Sequence, residues 1–126
     1  MATALDFGYK RGSSQSGSTN ASGFLRLKIF SCPGLSKKEN YYVKIILQTA
    51  KKGKQVGNPI LTQTTNPTTD PIWNEMFIVE VDPVEHNLLC QVFVKGRLTD
   101  TFVGKAEIPL GIIRASIPMV IIMNQN

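Results

Sequence analysis

Leu25, Leu27 and Ile29 alternate with Arg26 and Lys28, and this two-residue period returns along most of the chain. Val43, Ile45 and Leu47 alternate with Tyr42, Lys44 and Ile46. Phe77, Val79 and Val81 alternate with Met76, Ile78 and Glu80. Leu88, Cys90 and Val92 carry the period onward, and Phe102, Gly104, Ala106, Ile108 and Leu110 mark a further segment, small in its middle. Successive side chains of a strand point to opposite faces, so each run reads as a half-buried strand. No long 3.6-residue period competes with it. Cys32-Pro33-Gly34, Gly57-Asn58-Pro59 and Asp82-Pro83 punctuate the runs with turn chemistry. A short threonine-rich strand is expected over residues 60–65 and an apolar one over 119–123, with residues 111–116 as a link of one helical turn. The fold class that follows is all-β, an antiparallel sandwich of seven to eight strands.

The length of 126 residues fits one domain, and 42% hydrophobic residues can fill its core. Leu5, Phe7 and Tyr9 alternate near the start and read either as an edge strand or as nothing. Residues 12–23 are almost all Ser, Gly, Thr, Asn and Ala, too polar to offset their ordering entropy. The expected division is a flexible segment over 1–23 and a sandwich domain over 24–126.

No run of 18 apolar residues is present, Met1-Ala2-Thr3 opens no signal core, and position 2 is not the glycine that myristoylation needs. Cys32 and Cys90 fall on core-like strands and read as buried thiols, which fits a cytoplasmic protein. With His86 as the single histidine, a zinc site or histidine-based triad has little to work with. No nucleophile–base pair, paired carboxylates or phosphate-cradling glycine loop marks an enzyme. Fourteen Lys and Arg against nine Asp and Glu give a net charge of +5, compatible with anionic membranes. Nucleic acid is not an expected partner, because the exposed aromatic ladder of single-strand binders is missing.

Asp70-Pro71-Ile72-Trp73-Asn74-Glu75 opens a turn, places the one tryptophan of the chain and delivers the strand from Met76. Followed by its alternating strand, it resembles the signature of C2 domains, the second conserved region of protein kinase C. Leu25-Arg26-Leu27-Lys28-Ile29 resembles that family's first strand, and Asn40-Tyr41-Tyr42-Val43-Lys44 its Asp-Pro-Tyr-Val-Lys. Phe102-Val103-Gly104 and Ile108-Pro109-Leu110 resemble the strand that follows its third loop. Gly34-Leu35-Ser36-Lys37-Lys38, Thr62-Gln63-Thr64, His86-Asn87-Leu88-Leu89, and Val92-Phe93 followed by Arg97-Leu98-Thr99 look most like the N-terminal C2 domains of HECT-type E3 ubiquitin ligases. Any ligase activity would then lie in a domain outside this chain.

The resemblance implies a site at the loop end of the sandwich, and the departures from it define what the site holds. Calcium in this family needs clustered carboxylates, since Ca²⁺ takes six to eight oxygen ligands. The matching positions here are Asn40, Val94, Gly96 and Thr101, so no metal and no other cofactor is expected, and Glu39, Asp70 and Asp100 read as solvated loop acids. Lys37, Lys38, Lys95 and Arg97 would surround the same end and suit anionic phospholipid. Tyr42 and Lys44 match part of the family's phosphoinositide patch, whereas Leu61 and Gln63 stand where its further lysines would be. The expected function is calcium-independent peripheral membrane targeting, with Lys44, Lys51, Lys52 and Lys54 either a second patch or an ordinary solvated face. The alternative is a protein-docking or autoinhibitory module, intramolecular or between proteins, using an outer face that carries Tyr42, Ile46, Met76 and Ile78.

Overall fold

The computed structural model describes residues 3–11, 23–82, 84–110 and 119–125. Among them run eight strands: β1 (Thr3–Arg11), β2 (Gly23–Ser31), β3 (Tyr41–Thr49), β4 (Gln55–Leu61), β5 (Ile72–Val81), β6 (His86–Val94), β7 (Thr101–Pro109) and β8 (Met119–Gln125). Every pairing is antiparallel, in the order β4-β3-β6-β7-β8-β1-β2-β5. The ladder folds over at β7 and β8, which share only the pairs Gly104↔Gln125 and Lys105↔Asn124. Two four-stranded layers result, and β4 and β5 are left as the free edges on the opposite side.

The inward rows of the two layers make one core. Leu25, Leu27 and Ile29 of β2 meet Val43 and Ile45 of β3, Leu88, Cys90 and Val92 of β6, and Ile108 of β7, all essentially without exposure. Trp73 joins this cluster and donates its Nε1–H to the Tyr41 carbonyl at 3.4 Å, so the indole is buried without an orphaned donor. Cys32 and Cys90 are buried thiols, and burial pushes the Cys90 thiol up to about 12.

Several expectations change in detail. The pair of readings for Leu5, Phe7 and Tyr9 resolves to a strand, and an interior one, because β1 lies between β8 and β2. The polar tract over 12–22 and the link over 111–116 lie outside the described residues. The fourth strand begins before Gly57-Asn58-Pro59 and ends at Leu61, where a strand over 60–65 was expected. Its register against β3 slips between Ile45↔Ile60 and Leu47↔Val56, so the turn-like tripeptide is a bulge within the strand, with Gly57 at φ 71°. Beyond Leu61 the pairing passes to hydroxyls. Thr62 donates its N–H to the Val43 carbonyl at 3.0 Å and takes the Val43 N–H on Oγ1 at 2.8 Å. Thr65 repeats this against Tyr41, at 2.9 and 3.0 Å.

A second bulge sits at the strand entrance. Between Ser31↔Ile72 and Ile29↔Glu75 the register slips at Asn74, whose φ is 51°, a region asparagine tolerates better than most residues. A third lies in β7, where Gly104 faces Val92 but Phe102 faces Phe93, so Phe102 leaves the inward row that the alternation assigned it.

Candidate functional site

Three connections meet at one end of the sandwich: residues 32–40 between β2 and β3, 62–71 between β4 and β5, and 95–100 between β6 and β7. Turn-forming residues break the strands there, and the freed backbone groups are then bonded from loop to loop. Cys32 N–H donates to the Pro71 carbonyl at 3.0 Å, and Leu35 N–H to the Thr69 carbonyl at 2.9 Å. Glu39 and Thr68 exchange backbone bonds of 3.2 and 3.0 Å. The Asn40 carbonyl accepts from Lys95 N–H at 2.8 Å, while its side-chain amide donates to the Thr65 carbonyl at 2.7 Å. Leu35 is buried and anchors the first loop.

The loop acids act as ties. Asp70 accepts from Gly34 N–H and from the Thr69 hydroxyl, each at 2.9 Å, and these bonds hold its carboxyl below the usual range. Asp100 accepts the Tyr42 hydroxyl on Oδ2 and Gly96 N–H on Oδ1 at 3.1 Å, and Lys95 Nζ stands 3.8 Å from Oδ2. The Tyr42 bond, then the Gly96 bond and the neighbouring lysines, lower the Asp100 carboxyl, although partial desolvation opposes them. Asp70 remains exposed, as expected of a solvated acid, while accepting its two loop bonds; Asp100 is half-buried and, held by its donors, is a structural member of its loop. Glu39 is tied to Thr68 through its backbone.

The exposed long side chains at this end are cationic and apolar, with Lys95 also paired to Asp100. Lys37, Lys38, Lys95 and Arg97 are all exposed. Leu98, named from the sequence only within the Arg97-Leu98-Thr99 resemblance and not as a site residue, is 98% exposed between Arg97 and Thr99. The signal was available: it is the lone large apolar residue in the otherwise polar stretch Lys95-Gly96-Arg97-Leu98-Thr99-Asp100. Gly96 is fixed by space, because a Cβ built there would overlap the Thr99 carbonyl oxygen.

The Tyr42–Lys44 patch differs from expectation. Tyr42 does face outward from its layer, yet it is buried beneath the 95–100 loop through its bond to Asp100. Burial first, then that bond, raises its phenol to about 12. Its ring stacks on Phe93 at 5.5 Å and 13°, and Phe93 meets Phe102 edge-on at 5.7 Å. Lys44 Nζ lies 5.0 Å over the Phe93 ring, a cation–π contact that engages the ammonium. Leu61 stands in register with Lys44, as the resemblance implied, and Gln63 donates its N–H to Glu75 Oε2 at 2.8 Å. The turn carrying Lys51, Lys52 and Lys54 lies beyond the far end of β3, about 27 Å of strand from Tyr41. The proposed shared outer face also separates. Tyr42 and Ile46 belong to the β3 layer, while Met76 and Ile78 lie on β5 in the other. Alternation separates inward from outward but does not say which layer is meant.

The architecture defines a class: a two-layer antiparallel sandwich whose three loops at one end are bonded together. The family model described as C2 domain matches residues 23–119, and the chain belongs to the C2 domain family. It is 39% identical over 92 residues to the E3 ubiquitin-protein ligase Nedd-4 of Drosophila melanogaster, covering 68% of this chain and 9% of that protein. The E3 ubiquitin-protein ligase NEDD4 of Rattus norvegicus is 34% identical over 92 residues, covering 68% of this chain and 10% of that one. The chain thus spans about a tenth of the length of these curated relatives. Among solved structures, the RIM C2A domain from Drosophila superposes with a TM-score of 0.74 at 19% identity, over 98% of this chain and 99% of that one. No helix among the described residues is long and apolar enough to cross a membrane.

Proposed function

We propose that this C2 domain is a peripheral targeting module that sets its loop end on anionic phospholipid without calcium. The observation that carries the reading is Leu98, 98% exposed beside Arg97 on a loop whose backbone is tied down. A solvated leucine next to an arginine, on a loop end that carries further cations, matches an interface that is anionic at its surface and apolar beneath. Each basic residue near an anionic leaflet contributes about 1 kcal/mol, and burying a leucine about 1.5–3 kcal/mol. Four cations and Leu98 together reach about 6 kcal/mol, an affinity between millimolar and micromolar. That suits a reversible contact needing a second attachment to persist.

The calcium-free part of the reading rests on the donor set. Asp100 gives its oxygens to Tyr42 and Gly96 and is faced by Lys95; Asp70 gives its own to Gly34 and Thr69. Gly96 has no room for a carboxylate-bearing side chain. These residues do not fit a divalent cation that takes six to eight oxygens. In this proposal Lys37, Lys38, Lys95, Arg97 and Leu98 touch the lipid, Tyr42 holds the third loop, and Lys44 is peripheral. The module works at a cytoplasmic membrane surface, and ubiquitin transfer, if the parent protein performs it, belongs to other domains. Co-sedimentation with vesicles of graded phosphatidylserine content at two salt concentrations tests the reading. Binding that rises with phosphatidylserine, falls with salt and ignores EDTA supports it; equal sedimentation with neutral vesicles refutes it.

A further inference from the structure

The hydroxyls of the loop end divide by whether the fold uses them. Thr62 and Thr65 take backbone N–H groups of β3 on Oγ1, Thr68 takes that of Asp70 at 2.9 Å, and the Thr69 hydroxyl donates to the Asp70 carboxylate. Ser36, Thr64, Thr99 and Thr101 are exposed, and their hydroxyls make no hydrogen bond to the described residues. These four differ in the charge around them. Thr64 has no charged neighbour in sequence, Lys37 and Lys38 come after Ser36, and Thr101 directly follows Asp100. Thr99 has Arg97 two residues before it and Lys95 four before it.

The place of Thr99 makes a change of charge there consequential. Residues 97–99 are exposed in a row, so the hydroxyl is reachable with the core intact. Leu98, 98% exposed, precedes it, and Asp100 follows it with both oxygens committed to Tyr42 and Gly96. The Thr99 carbonyl lies against Gly96, inside the turn that Asp100 closes. An added anion on Thr99 Oγ1 would thus stand beside the lipid-facing leucine, with Arg97 and Lys95 as its nearest cations in the chain.

We propose that Thr99 is a phosphorylation site whose modification releases the loop end from anionic phospholipid. The proposal rests on the membrane reading above and adds its control. Thr99 Oγ1 attacks the terminal phosphorus of a nucleoside triphosphate held by a protein kinase. The new P–O bond forms as the bond to the nucleoside diphosphate breaks, and the hydroxyl proton passes to the base of the kinase. The loop cations then face an added charge of about −2. The phosphate takes charge-assisted bonds from Arg97 and Lys95 that lipid headgroups lose, and it repels those headgroups. Leu98 enters the apolar layer only by drawing a dianion toward it, which is costly. The cations that meet lipid are also those that mark the hydroxyl for a kinase that reads basic residues ahead of its acceptor. Membrane contact and modification therefore compete for one loop.

The test treats the full chain with ATP and the catalytic domain of a kinase selective for arginine two residues before its acceptor. Peptide mass spectrometry and co-sedimentation with phosphatidylserine vesicles follow. Phosphate is expected on Thr99 ahead of Ser36, Thr64 and Thr101, and more slowly when saturating vesicles are present. The phosphorylated chain should bind vesicles about thirtyfold more weakly, about fivefold for each added negative charge. Thr99→Val keeps the shape of the side chain; it should bind as the parent does and ignore the kinase. The chain encoded with the phosphorylated form of Thr99 repeats the measurement without a kinase. Phosphate on the other hydroxyls but not on Thr99 overturns the proposal. So does an equal loss of binding by kinase-treated Thr99→Val, or undiminished binding by the encoded phosphorylated chain. Each of these leaves the membrane reading in place, whereas a parent chain that binds no phosphatidylserine vesicle overturns both.

Discussion

The loop end and the outer face of the β3 layer both carry lysines and neighbouring aromatics, but they use them in opposite ways. At the loop end the backbone is bonded and the long side chains are free: Asn40, Asp70 and Asp100 hold the loops, and Lys37, Lys38, Arg97 and Leu98 extend from them. On the sheet face the side chains are spent on each other. Tyr42 stacks on Phe93 and bonds Asp100, and Lys44 lies on Phe93. The presence of a lysine in the sequence therefore does not fix its capacity to bind. A surface contact needs groups whose partners are not already supplied by the fold, held on a frame that does not lose entropy again on binding.

Removing the loop cations should break the contrast most visibly. Replacing Lys37, Lys38, Lys95 and Arg97 together by Gln should cost about 4 kcal/mol, close to a thousandfold in phosphatidylserine-vesicle affinity. Thermal stability should stay within about 1 kcal/mol, because the substituted groups are exposed. The matched control, Gln at Lys51, Lys52 and Lys54, should leave vesicle binding within about threefold, half of one decade. Equal losses from the two sets would mean that binding follows net charge and not the loop end.

Leu98→Ser comes next. It should weaken vesicle binding by about 1.5–3 kcal/mol, tenfold or more, without lowering Tm. Gly96→Ala sharpens the same point from the backbone side. The added Cβ meets the Thr99 carbonyl, so Tm should fall and vesicle binding should weaken although every cation is retained.

The Tyr42–Asp100 tie makes a smaller prediction with a defined pH window. Asp100 is lowered in the folded chain, so its contribution is present above the ordinary carboxylate pKa of about 3.9 and lost as pH falls through the folded value. Tyr42 is raised to about 12, so its contribution is present below its ordinary value near 10 and lost as pH rises toward 12. The Tm difference between the parent and Asp100→Asn should thus be flat across neutral pH and close in acid. Difference absorbance against Tyr42→Phe should show its phenolate only at the alkaline extreme. The smallest effect belongs to Lys44→Gln, whose ammonium is engaged by Phe93: vesicle affinity should change less than threefold, about 0.7 kcal/mol.

Much of this frame was legible in the sequence. The two-residue period located β2, β3, β5 and β6, because their inward rows are uninterrupted apolar side chains facing one core. It misplaced β4, since Gly57-Asn58-Pro59 has the chemistry of a turn and only the partner strand makes it a bulge. It left β1 open, because a strand's place in a ladder is decided by neighbours distant in sequence. Tyr42 looked free because alternation reports which way a side chain leaves its strand, not what folds over it. Leu98 counted only toward the family resemblance and not toward the site, because an apolar residue in a loop breaks no period and gains meaning only from its exposure.

The most direct measurement is paramagnetic broadening of backbone amides on phosphatidylserine vesicles that carry a gadolinium-chelating lipid. The account predicts selective loss of signal at Lys37, Lys38, Arg97, Leu98 and Thr99, with amides of the 51–54 turn and of β5 unaffected. Broadening centred on the 51–54 turn, or on Met76 and Ile78, with sharp loop-end signals would contradict it.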